Sequence, residues 1–160
     1  MLGAGVESFI RIERDPAFWA AVAGHPEVAP HIGATPDEAA ALALHPLTLP
    51  LASAHGGFLF RNLDGLGFVF ELHTLFTPEG WGREVALAAR EAFARLFDGG
   101  AAVVVTHEQH GWWRAKPPLS HGWAPAADWR ETPVGLLRMW TLSAQAWRAS
   151  ALMRRRQSCP

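Results

Sequence analysis

Among its 160 residues the chain has no tyrosine and one cysteine, Cys159. A single thiol closes no intrachain disulfide and builds no thiolate metal site, so the expected setting is the reducing cytoplasm. Without tyrosine no phenol is available as an acid. Net charge is also scarce. Fourteen Lys and Arg against fifteen Asp and Glu leave -1, so no overall field draws the chain to nucleic acid or an acidic membrane. The one basic run, Arg154-Arg155-Arg156, lies in segment 151–160, expected to be a flexible tail. The most apolar stretch, Ala39 to Ala54, is broken by His45, Pro46 and Pro50 and is too short to span a bilayer. The opening MLGAGVESFIRIERD lacks the apolar core of a signal peptide. No G-x-S-x-G occurs, so Ser53, Ser120 and Ser143 have no nucleophile elbow around them.

What is present is apolar side chain. Hydrophobic residues make up 49% of the chain, enough for one core, and residues 1–150 are expected to form one domain. Segment VESFIRI, from Val6 to Ile12, reads as a strand. Asp15 is placed to cap a helix over Pro16–Ala23, with Pro16 at its first position and Gly24 at its end. Thr35-Pro36-Asp37-Glu38 has the spacing of a capping box and opens a helix running to about Leu44.

The period then changes. Leu47–Leu51, Gly57–Asn62 and Gly67–Thr77 read as strands, the last two joined by turn residues Asn62-Leu63-Asp64-Gly65. Alternation in the third puts Phe68, Phe70, Leu72, Thr74 and Phe76 on one face and Val69, Glu71, His73 and Leu75 on the other. Two ionisable side chains sharing a mostly apolar face point to a wet cleft. Arg83–Phe97 carries an apolar stripe at helical spacing, with Gly99-Gly100 to end it, and Ala101–Val105 reads as a buried strand. Strand, helix, strand makes a parallel crossover. Thr106–Pro118 reads as irregular or briefly helical, Ser120–Trp129 as a strand around Gly122-Trp123, and Val134–Trp147 as a strand passing into a short helix. The order predicts an α/β fold with a central mixed sheet.

The stretch ELHTLFTPEGWGRE, Glu71 to Glu84, sets two glycines between a strand and a helix. They serve either a tight turn or an anion site, where helix N–H groups and a missing Cβ admit a phosphate. Arg83 favours the second reading; Glu79 and Glu84 oppose it. No Lys follows Gly82, as a P-loop needs, and a dinucleotide fingerprint's third glycine is missing.

Strand, Gly-x-Gly turn, amphipathic helix, apolar strand and the later Gly122-Trp123 pair resemble the GNAT acyltransferase family over Gly57–Trp147. The phrase ELHTLFTPEGWGREVALAAREAF is especially like GNAT-type proteins of phage and prophage genomes. The resemblance implies a GNAT-like fold and acetyl-CoA as co-substrate. It implies a pyrophosphate site at Thr77, Gly80, Trp81, Gly82 and Arg83, and an acid on the strand, Glu71, as general base. It also implies an amine acceptor, a small molecule or a protein. Two departures stand out. Thr77 occupies a position where the family usually has Gln or Arg, and the usual tyrosine acid, expected near Pro118, is missing. A GNAT-shaped binding or structural module without catalysis, of phage origin, is the alternative.

For Glu71 the alternatives are a base whose pKa burial raises, or a strand carboxylate paired with an Arg. His73 is the base itself, an orienter of Glu71, or a structural histidine. His107-Glu108-Gln109-His110 has its histidines three apart and no obvious third ligand, so no metal is expected. His110, Ser120 and His121 are candidates to replace the missing acid. Trp112, Trp113, Trp123, Trp129, Trp140 and Trp147 crowd the C-terminal half, suiting a core and a homodimer contact.

Overall fold

A computed structural model describes residues 8–111 and 117–150. The start of the expected VESFIRI strand, the Trp112-Trp113 pair and the basic tail lie outside them. Of the first strand only a two-residue edge piece is seen, β1 (Arg11–Ile12). Three short helices follow, α1 (Pro16–Ala23), α2 (Ala29–Ile32) and α3 (Pro36–Leu44). Two of them begin where their caps dictate. Asp15 accepts a hydrogen bond from the Ala17 N–H at 2.9 Å. Thr35 and Glu38 satisfy each other's backbone N–H groups at 3.2 and 2.7 Å, leaving two fewer orphan donors at the start of α3. The sequence gives no comparable signal for α2, whose N-cap Val28 makes no side-chain bond.

Strands β2 (Thr48–Ser53), β3 (Gly56–Asn62) and β4 (Val69–Phe76) form an antiparallel meander. The hairpin between the last two is held by polar side chains: Asn62 accepts from the Gly65 N–H and Asp64 from those of Leu66 and Gly67. Helix α4 (Arg83–Asp98) then crosses over to β5 (Val103–Gln109), which lies parallel to β4. The chain finishes with β6 (Ala124–Pro125), β7 (Arg130–Thr132), β8 (Gly135–Ser143) and α5 (Ala144–Ala149). Sheet order is β1-β2-β3-β4-β5-β8-β6, with β7 also on β8.

The second half departs from expectation in two places. Thr106–Gln109 is strand rather than irregular, because β8 pairs with it as far as Gln109–Leu137. Around Gly122-Trp123 there is a 3₁₀ turn, Leu119–His121, ended by Gly122 at φ 94°, and only Ala124–Pro125 reaches the sheet. Val103 and Val105 are half-buried and only Val104 is fully enclosed. Among the described residues no helix is long and apolar enough to cross a membrane.

Two cores lie on opposite faces of the sheet. On one face α1 and α3 pack Trp19, Val22, Ala39 and Ala43 over Ala52, Leu59 and Leu75. On the other, α4 lays Ala88, Ala92, Phe93, Leu96 and Phe97 over Leu51, Phe58, Phe60, Phe70 and Phe76, and Trp123, Trp140 and Trp147 close the cluster. Phe93 is its centre, with ring centroids of Phe58, Phe60, Trp123 and Trp147 within 5.4–6.1 Å. Truncating it removes these four ring contacts and the stacking on Phe97 at 6.4 Å, and leaves a cavity. Phe93→Ala is therefore expected to destabilise the fold by about 3–5 kcal/mol, measured from urea unfolding; a loss under about 1 kcal/mol contradicts this account of the core.

Candidate active site

The parallel contact of β4 with β5 covers only three residue pairs, Val69–Val103, Phe70–Val104 and Glu71–Val105. Beyond them each strand keeps its outer neighbour: β4 follows β3 to Phe76–Gly56, and β5 follows β8 to Gln109–Leu137. The two strands part, and a cavity of about 1250 Å³ fills the gap. Its lining comes from both faces of the sheet. Trp81, Gly82, Val85, Ala89 and Phe93 belong to the α4 side; Leu42, Leu59, His73 and Leu75 belong to the α1–α3 side. The cavity thus runs through the sheet.

Parting exposes one edge of β4. The Leu72 carbonyl faces the gap and accepts from Thr106 Oγ1 at 3.0 Å, and the Phe76 carbonyl accepts from Trp81 Nε1 at 3.0 Å. Backbone direction alternates along a strand, so Thr74, midway between them, turns both its N–H and its C=O to the same gap. An extended chain bearing amides can pair there as a further strand does.

The two glycines of the following turn are required for different reasons. A Cβ on Gly80 would lie 2.9 Å from the Phe76 ring and 3.2 Å from His55 Cβ, so packing excludes one. Gly82 has open space around its Cβ position but sits at φ 92°, ψ -111°, a conformation open essentially to glycine alone. It is the N-cap of α4, and no side chain caps the helix. First-turn N–H groups without an intrahelical acceptor therefore face the cavity mouth, with Arg83 exposed beside them. Thr77 is turned elsewhere: its N–H and Oγ1 both go to the His55 carbonyl, at 3.0 and 3.3 Å.

Glu84, also in this first turn, does not crowd the mouth. Its carboxylate reaches the β2–β3 turn, accepting from Ser53 Oγ at 2.6 Å and the His55 N–H at 2.8 Å, and it meets His55 Nδ1 at 2.8 Å. Burial raises its pKa most strongly as a single influence, yet the bonds from Ser53 and His55 together hold it below the ordinary carboxylate value.

Glu71 and His73 share a face of β4, as alternation requires, and meet at 2.6 Å between Oε1 and Nε2. The other oxygen of Glu71 lies 3.4 Å from Arg61, its cross-strand partner on β3. The His73 hydrogen bond, with the nearby charges of His73, Arg61 and His107, outweighs burial and lowers the Glu71 pKa. The base alternative had burial raising it; the three basic neighbours reverse that sign, and the Arg61 contact matches the paired-carboxylate alternative. An ionised carboxylate only accepts, so Nε2 carries the hydrogen and Nδ1 of His73 is left as the basic nitrogen. His73 lines the cavity and Glu71 stands behind it.

Of the three candidate acids, only His121 reaches the cavity. Burial pushes its pKa below the ordinary imidazole value. Ser120 is exposed, and His110 instead sets its ring edge-on to Trp129 at 5.1 Å. The His107–His110 segment has strand alternation, so His107 and Gln109 line the cavity while Glu108 faces the opposite way. There Glu108 Oε2 accepts from Trp140 Nε1 at 2.7 Å and Arg138 Nη2 at 2.9 Å. Thr74, Thr106 and Gln109 were not singled out from sequence, since uncharged polar residues carry no motif.

Glu84 gives a pH test of the turn. Its folded pKa is below the unfolded value, so its stabilisation is present above the ordinary carboxylate range and is lost as pH falls through the folded value. Glu84→Gln is expected to cost about 1 kcal/mol at pH 7, or roughly 2–4 °C in melting temperature. The gap to wild type should close in acid; a gap independent of pH contradicts the role given to this carboxylate.

No protein-family model and no curated protein matches this sequence. Solved structures do match its fold. An acetyltransferase of the GNAT family from Bacillus anthracis superposes at TM-score 0.65 with 14% identity, over 85% of this chain and 94% of the other. AAC(6')-Ib, in complex with paromomycin and acetyl-CoA, superposes at 0.66 with 15% identity, over 89% and 96%. The yncA protein from Salmonella typhimurium, with its cofactor acetyl-CoA, gives 0.57 at 21% identity, over 84% and 92%. This chain has the GNAT acyltransferase fold.

Proposed function

We propose that the protein transfers an acetyl group from acetyl-CoA to the nitrogen of an amine. One observation carries the reading: a single cavity joins the N-terminus of α4, on one face of the sheet, to the His73–Glu71 pair on the other. Acetyl-CoA supplies the activated acyl carbon when bound. The residues fit it in three ways. Gly80, Trp81, Gly82 and Arg83 offer a pyrophosphate the first-turn N–H groups of α4, an open approach and a cation. Thr74 offers an amide-bearing arm its free backbone edge. The cavity has room for both reactants. Thr77 adds no phosphate contact, because the His55 carbonyl occupies it.

His73 is the base in this reading, taking the amine's proton at Nδ1. Glu71 fixes its tautomer and ring orientation and stabilises the imidazolium that forms. With one oxygen on His73 and the other by Arg61, and with a lowered pKa, Glu71 suits that part better than direct proton abstraction. The C–S bond breaks as the N–C bond forms, and the coenzyme leaves as its thiolate, which takes its proton from water; His121 also lines the cavity. The likeness to phage-borne proteins rests on the Glu71–Phe93 sequence alone and adds nothing to the mechanism.

Calorimetry with acetyl-CoA tests the reading. Micromolar affinity is expected, weakened about tenfold or more by Arg83→Glu, an exposed position where folding is not at stake. His73→Ala should leave that affinity unchanged and lower kcat by about 10²–10⁴; Glu71→Gln should lower it less. No binding up to millimolar acetyl-CoA, about 4 kcal/mol on the affinity scale, leaves the glycines as a turn and favours a non-catalytic module.

A further inference from the structure

We infer that the acetyl acceptor is a monoamine with an apolar body and a hydrogen-bonding group remote from the reacting nitrogen; this rests on the acetyl-transfer reading. The half of the cavity on the α1–α3 side is walled by Val28, Leu42, Leu59, Leu75, Val134 and Leu137. Among the described residues its lining holds one carboxylate, Glu38, whose Oε2 is already bound to the Thr35 N–H. A polycation entering such a cavity would lose hydration from several ammonium groups with only Glu38, among the described lining residues, to receive them. A single amine avoids that cost, and its carbon frame suits the walls.

The second group follows from Gln109. Its Oε1 is buried and accepts no hydrogen bond from any described residue, the kind of orphan that a bound donor satisfies. Gln109 lines the cavity two residues beyond His107 on the same face of β5. His107 is close enough to the Glu71–His73 pair for its charge to act on Glu71. Gln109 thus lies farther along β5 than His107, and a hydroxyl or N–H at the far end of the amine's carbon frame can meet its oxygen.

The test is a panel of acceptors assayed by release of the free coenzyme thiol: tyramine, phenethylamine, spermidine and kanamycin. Tyramine is expected to exceed phenethylamine about tenfold in kcat/KM, and both to exceed spermidine and kanamycin at least a hundredfold. Gln109→Leu should erase the tyramine advantage while acetyl-CoA affinity stays as in wild type. Val134→Glu, at an exposed turn where the fold tolerates charge, should shift the ratio toward spermidine. Equal or better use of spermidine or kanamycin by the wild-type protein overturns the inference, as does a tyramine advantage that survives Gln109→Leu. Acetyl-CoA binding with no turnover of either monoamine overturns it too, leaving acetyl transfer standing. Failure to bind acetyl-CoA at all removes both.

Discussion

The structure depends on β4 holding β5 for three residue pairs and then letting go. While they pair, the sheet is continuous and its two cores are separate. Once they part, one cavity joins the helix N-terminus on one face to the His73–Glu71 pair on the other. The Thr106 hydroxyl on the Leu72 carbonyl and the Trp81 indole on the Phe76 carbonyl satisfy two of the backbone groups laid bare by the parting. Such groups, left dry and unpaired, would cost roughly 1–3 kcal/mol each. The edge is stabilised at both ends and left open at Thr74 between them.

The far end of β5 is secured from its other side. Glu108 receives Arg138 and the Trp140 indole, and Arg138 lies between the rings of Trp129 and Trp140 with centroids at 4.7 and 5.0 Å. A carboxylate that is 8% exposed on a strand would be costly alone. Paired this way it ties β5 to β8, so β5 stays extended without β4's help. The polar run His107–Gln109 that looks like a loop in sequence is therefore strand, and its alternation sends His107 and Gln109 into the cavity.

Much of the frame is legible in the sequence because it is set by local chemistry. Asp15, the Thr35–Glu38 box and Gly99 bound their helices, and period two along Phe68–Phe76 puts Glu71 beside His73. What escapes is set by neighbours distant in sequence. No residue announces that β4 and β5 diverge, since divergence arises from which other strand each one follows. The Glu71 pKa falls chiefly through the His73 hydrogen bond that alternation makes legible, while Arg61 and His107, which add to it, come from neighbouring strands. Gly80 and Gly82 look like one motif, yet a packed ring requires the first and a backbone angle the second. His121, His110 and Ser120 are equivalent on paper; only the fold separates the one that faces the cavity.

A passage through a sheet has two ends. The mouth at the α4 N-terminus is bounded by Gly82 and Ala86, while the opposite mouth lies where the turn at Gly33 comes to the β7–β8 turn at Val134. In the proposed acetyl transfer, a reactant lodged at one end leaves the other open, so both molecules would be bound at once and the acyl group would pass directly between them, with no covalent stop on the chain.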